Sequence, residues 1–81
     1  MTKFTHREVF EPSAALELGA DGCADVAMRH AQSLMDGITL RVDAVTESVI
    51  QGMEEIDCTF GIARECGMSV DAVAVLVECR F

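Results

Sequence analysis

From Asp21 onward, apolar residues recur at steps of three or four. Ala27, Ala31, Leu34, Ile38, Val42, Val45, Val49, Met53, Ile56, Phe60 and Ala63 follow one another in ten such steps over 36 positions. That is the period of an α-helix. A polar stripe runs beside them through Asp25, Arg29, Gln32, Asp36, Asp43, Glu47, Glu54 and Asp57. A glycine inside a helix costs about 1 kcal/mol, so Gly37 and Gly52 mark the weak points. A helix of roughly forty residues is also out of scale for so small a domain. The spacing therefore predicts two helices, about 21–45 and 47–66, folded as a hairpin near Val45 to Ser48. A single long helix paired with that of a second copy is the alternative. The stretch "ITLRVDAV" alternates as a strand does, but a lone strand has nothing to pair with, and the helical reading is preferred.

The ends of the chain read differently. Residues 1–12 look like an extended arm or tail that stops at Pro12, the only proline, and residues 13–81 form a single helical domain. Cys66-Gly67 breaks the long pattern, with Gly67 suited to a left-handed C-cap. Ser69 then offers an N-cap for a last helix, about 70–79, reading "VDAVAVLVEC". That helix is apolar nearly all round and needs cover on more than one side. Val70, Val73, Ala74, Leu76 and Val77 are accordingly expected at a contact with a second copy or a partner. The fold class expected is all-α: a small helical hairpin plus a short C-terminal helix, completed by dimerisation.

Size supports that expectation. A chain of 81 residues buries only about 60% of its unfolded surface on folding, yet 51% of this one is apolar. Charge adds a direction. The first twelve residues set Lys3 and Arg7 against Glu8 and Glu11, and thereafter four arginines face twelve carboxylates, for a net charge of −8. Such a body repels phosphate and favours basic partners. Asp43, Glu47, Glu54, Glu55 and Asp57 are the expected acidic partner-binding face, opposite a protein with a basic surface.

Four cysteines, Cys23, Cys58, Cys66 and Cys79, include no CxxC pair, and only His6 and His30 could join them on a metal. Free thiols, no metal and no cofactor are expected. The opening "MTKFTHREVF" lacks the apolar core of a signal peptide, and no run reaches membrane-spanning length, so a soluble cytoplasmic protein is expected. No catalytic residues are assigned. Neighbouring carboxylates such as Glu54 and Glu55 diverge on a helix, and there is no glycine-rich phosphate loop.

The segment "IARECGMSVDAVAVLV" resembles the helix-turn-helix family across residues 59–78. Ala63 matches the small residue at the helix contact, Gly67 the tight turn and Val73 an inward hydrophobe, with Ile62, Ser69 and Leu76 also fitting. The resemblance implies two steeply crossed helices, the second of which reads DNA in the major groove. The reading positions, however, are Ser69, Val70, Asp71, Ala74 and Val75, without the Arg, Lys, Asn or Gln that discriminate bases. No nucleic-acid partner is expected. The middle stretch "ALELGADGCADVAMRHAQSLMDGITLRVDAV" is also similar to small uncharacterised helical proteins of bacteria, which implies a helical hairpin. The expected function is a protein–protein interaction module, not an enzyme, acting as a regulator or inhibitor by occluding its partner. A diverged helix-turn-helix transcriptional regulator is the alternative.

Overall fold

The computed structural model describes residues 2–81 and is a mixed α/β fold. Strand β1 (Lys3–Phe10) leads into helix α1 (Pro12–Leu34), followed by β2 (Arg41–Gln51), β3 (Glu54–Ile56), helix α2 (Phe60–Glu65) and β4 (Ala72–Arg80). The four strands form one antiparallel sheet in the order β1-β4-β2-β3. The last strand in the chain thus lies between the first two, and β1 and β2 both take their register from it.

Sequence explains why β4 holds the centre. Val73, Val75, Val77 and Cys79 alternate along it and are fully buried under α1, beside Phe10, Ala15, Cys23 and Ala27. β-branched residues suit a pleated surface, and burying each valine is worth about 1.5–3 kcal/mol. The fully buried residues of helix α1 are all small, Ala15, Cys23, Ala27 and Ala31, with Val26 and Met28 packing partly buried beside them. Cys23, Ala27 and Ala31 are spaced by four and lie on one face of the helix, which lets its axis sit close to β4. The helix is broken at Gly19 (φ 74°, ψ 173°), a left-handed conformation that glycine adopts at little steric cost.

The turns carry their own chemistry. Gly52 (φ 62°) opens the two-residue loop between Gln51 and Glu54, as a tight hairpin of this type requires. The Gly52 amide donates to Asp71 Oδ2 at 2.6 Å, and the Asp71 amide to the Ile50 carbonyl at 2.8 Å. Thr59 caps α2 by accepting from the Ile62 amide. At the other end the Met68 amide donates to the Ala63 carbonyl and that of Gly67 to the Arg64 carbonyl, with Gly67 at φ 70°. This is the Schellman arrangement that ends a helix.

The all-α, helical-bundle expectation is overturned by this sheet, which holds 39% of the residues. Residues 3–10, expected as an arm, are an edge strand. The end of the expected first helix, the expected turn at Val45 to Ser48 and the expected second helix form β2, β3 and α2, and the expected last helix is β4. The apparent helical spacing through Val42, Val45 and Val49 has a local cause. The register moves from Val42↔Cys79 to Ala44↔Glu78, a bulge at Asp43 that puts one extra residue into β2. Val42, Val45 and Val49 therefore share the helix-side face although the first two are three residues apart. The objection that a strand here would stand alone fails because β4 supplies its partner.

Cys23 and Cys79 are buried, Cys58 is half-buried and Cys66 is exposed, all four as free thiols. Burial pushes the Cys23 and Cys79 thiols up, with further repulsion from the Glu47 and Asp43 carboxylates respectively. Under native conditions a water-soluble disulfide reagent should modify Cys66 and Cys58 quickly and Cys23 and Cys79 only at the rate of unfolding. Four equal rates would contradict the packing of α1 on β4. A raised thiol keeps its proton in the folded chain after the unfolded chain has lost it, so stability should fall as pH rises above about 8.5. Chemical denaturation across that range measures this.

Candidate functional site

The sheet has two unlike faces. Helix α1 packs over β1 and β4, leaving the opposite face without a helix. By register that open face carries Lys3, Thr5, Arg7 and Val9 from β1, Ala74, Leu76, Glu78 and Arg80 from β4, and Arg41, Thr46 and Ser48 from β2. Four of the six Lys and Arg residues stand here, while α1 and α2 present Glu17, Asp21, Asp25 and Glu65 against Arg29 and Arg64. The open face is thus the cation-rich side of the sheet, with Glu55 and Glu78 as its strand carboxylates.

A polar bridge spans the open face. Glu55 of β3 accepts from the Ser48 hydroxyl and, at 3.1 Å, from Arg7 Nη2 across the sheet. Hydrogen bonds from Ser48 and then Arg7 hold the Glu55 carboxyl below its ordinary value. Below this span Ala74 is only 2% exposed.

The residues singled out by spacing are dispersed by this fold. Val73 and Val77 lie in the core beneath α1, and Val70 packs against it. The cover expected from a second copy comes, for these three, from the same chain. Ala74 and Leu76 belong to the open face. Of the five carboxylates, Asp43 pairs with Arg80 Nε at 3.2 Å, Glu47 accepts from the Phe60 amide at 3.2 Å on the helix side, and Glu55 belongs to the open-face bridge. Glu54 and Asp57 are exposed. A helix would have aligned them; strand alternation divides them between two faces.

Two regions on the helix side bring side chains together. The first is a cleft of about 160 Å³ between the start of α1 and α2, lined by Ala15, Leu16, Gly19, Ala20, Cys23, Glu47, Phe60, Gly61 and Arg64. The Gly19 break lies in its wall, Leu16 is 57% exposed at its edge, and the Arg64 guanidinium sits 5.7 Å from the centre of the Phe60 ring. Glu17 and Asp21 flank Leu16 and Ala20 in sequence, and Glu65 follows Arg64.

The second lies at the other end of α1. On the core side of β1, between Phe4 and Phe10, stand His6 and Glu8, and His30 reaches them from α1. His6 Nε2 and His30 Nδ1 each lie 2.8 Å from the same oxygen, Glu8 Oε1. The rings meet nearly edge to face at 6.5 Å. Burial on its own raises the Glu8 carboxyl, but hydrogen bonds from His30 and His6 outweigh it and carry the group below its usual range. An ionised carboxylate only accepts, so both facing ring nitrogens carry a proton and donate. A cleft of about 270 Å³ opens beside them, with Ser33 and Leu34 on its wall. The sequence reading missed this cluster. Its one signal was a His and a Glu two apart, flanked by phenylalanines at the same strand parity.

Comparison with family models, curated proteins and solved structures finds no match to this chain. Among the described residues no helix is long and apolar enough to cross a membrane.

The open-face bridge has a pH signature. The Glu55 carboxyl is depressed in the folded state, so its stabilising effect is present above the unfolded carboxylate value of about 4.3. It is lost as pH falls through the folded value. Glu55→Gln should therefore melt below the parent at neutral pH, and the gap should close on acidification toward pH 3. A gap independent of pH would show that the ionised bridge contributes nothing.

Proposed function

We propose that this protein is a non-catalytic binding module that engages a basic segment of another protein and regulates or inhibits it by occlusion. The observation that carries the reading is the cleft between α1 and α2, a largely apolar slot lined by Glu47 and Arg64 and flanked in sequence by three further carboxylates. Leu16, Ala20 and Phe60 offer contact for one bulky apolar anchor. Carboxylates at Glu47, within the slot, and at Glu17, Asp21 and Glu65 around it suit flanking lysines or arginines. Buried anchors of this kind supply most of the affinity at protein interfaces, while surrounding charges set orientation and association rate.

The cations of the open face bear on nucleic acid. The sheet face holds most of the cations, but its strand positions carry no aromatic ring on which bases could stack, and stacking is the usual mode of single-strand recognition on sheets. Arg7 and Arg80 there are paired with carboxylates. The net charge of −8 disfavours phosphate overall.

Selection from a random peptide display library tests this reading. Retained sequences should pair one large apolar residue with flanking Lys or Arg, and their binding should weaken with salt. Leu16→Lys, at an exposed position, should reduce affinity at least tenfold without changing the circular dichroism spectrum. Acidic or unbiased selected sequences, or indifference to Leu16→Lys, would contradict it.

A further inference from the structure

The geometry points to a divalent transition-metal site formed by His6 Nε2, Glu8 and His30 Nδ1, with zinc(II) as the ion its donors suit best. Two imidazole nitrogens and one carboxylate oxygen are a donor set that zinc takes, leaving a fourth position for water or another ligand. The three donor atoms lie within 4.8 Å of one another, and the two nitrogens already stand 2.8 Å from the carboxylate oxygen. Bonds of 2.0–2.2 Å at tetrahedral angles separate ligand atoms by roughly 3.4 Å. The two nitrogen–oxygen pairs need only spread slightly to admit the ion.

Burial gives a second reason. His6 and Glu8 have side chains 16% and 23% exposed on the core side of a strand whose other positions on that side are Phe4 and Phe10. Placing a carboxylate there is costly unless a cation or strong donors accompany it. The imidazoles reach it through single N–H groups; a divalent ion would meet the charge directly. His30, 55% exposed, forms the outer wall and leaves the ion a path in from the adjoining cleft. In the metal-bound form each ring carries its proton on the far nitrogen: Nδ1 of His6 and Nε2 of His30. The ion would tie edge strand β1 to the C-terminal half of α1. This site lies apart from the α1–α2 cleft, and the proposal does not depend on that cleft's function.

Chelator-treated full-length protein, labelled with ¹⁵N at histidine, is titrated with zinc(II), and with cobalt(II) as an optical probe. The proposal expects saturation at one ion per chain and a change of tautomer at both His6 and His30. It also expects a cobalt spectrum that zinc displaces. His30→Gln, at a half-exposed position, should keep the fold and lower affinity at least tenfold. A double Cys58→Ser, Cys66→Ser variant should bind as the parent does. Absence of saturable binding at submillimolar metal would overturn the site. So would binding that survives His30→Gln unchanged, or that is lost with the two accessible thiols.

Discussion

The structure depends on one strand being wedged between two others and a helix. β4 pairs with β1 on one side and β2 on the other, and its valines fill the space beneath α1. Remove it and β1 and β2 lose their only common partner, leaving β2 and β3 joined over three residue pairs. The close approach of α1 through its small buried side chains depends on the same strand, which together with β1 forms the floor they cover. Because the key strand comes last in the chain, the sheet is assembled from pairings far apart in sequence. Such contacts must overcome the entropy of long loop closure before they contribute.

That arrangement also explains what could be read from the residues alone. Local signals were legible: the helical character of the stretch around Ala27 and Ala31, the left-handed glycine at Gly67, and the need to cover "VDAVAVLVEC" on more than one side. The last is true of a central strand as well as of a buried helix, and periodicity does not separate the two in a short apolar run. The β-branched residues at Val73, Val75 and Val77 were the arbiter that favoured a strand. Once that segment was read as helix, "ITLRVDAV" had no partner and the bulge at Asp43 imitated a helical step. One local misreading thus propagated through a pairing that is not local.

The first strand was concealed for a chemical reason. Its core-side positions are Phe4, His6, Glu8 and Phe10, so the alternation that identifies a strand is interrupted where polar groups turn inward. Departures from pattern of this kind concentrate at functional positions. Here they coincide with the His6–Glu8–His30 cluster, whose third member arrives from a helix 22 residues away from Glu8. The α1–α2 cleft was equally illegible, because it requires the docking of α2 against β2. The five carboxylates expected to act together were grouped by a period that the chain does not follow.

Amide hydrogen exchange resolved to single residues tests the central role of β4 most directly. The amides of Val73 to Cys79 should include the slowest in the protein and exchange only through global unfolding, with their β1 and β2 partners close behind. Exchange of this segment as fast as the 35–40 loop, or protection confined to residues 21–66 as in a helical hairpin, would contradict the account.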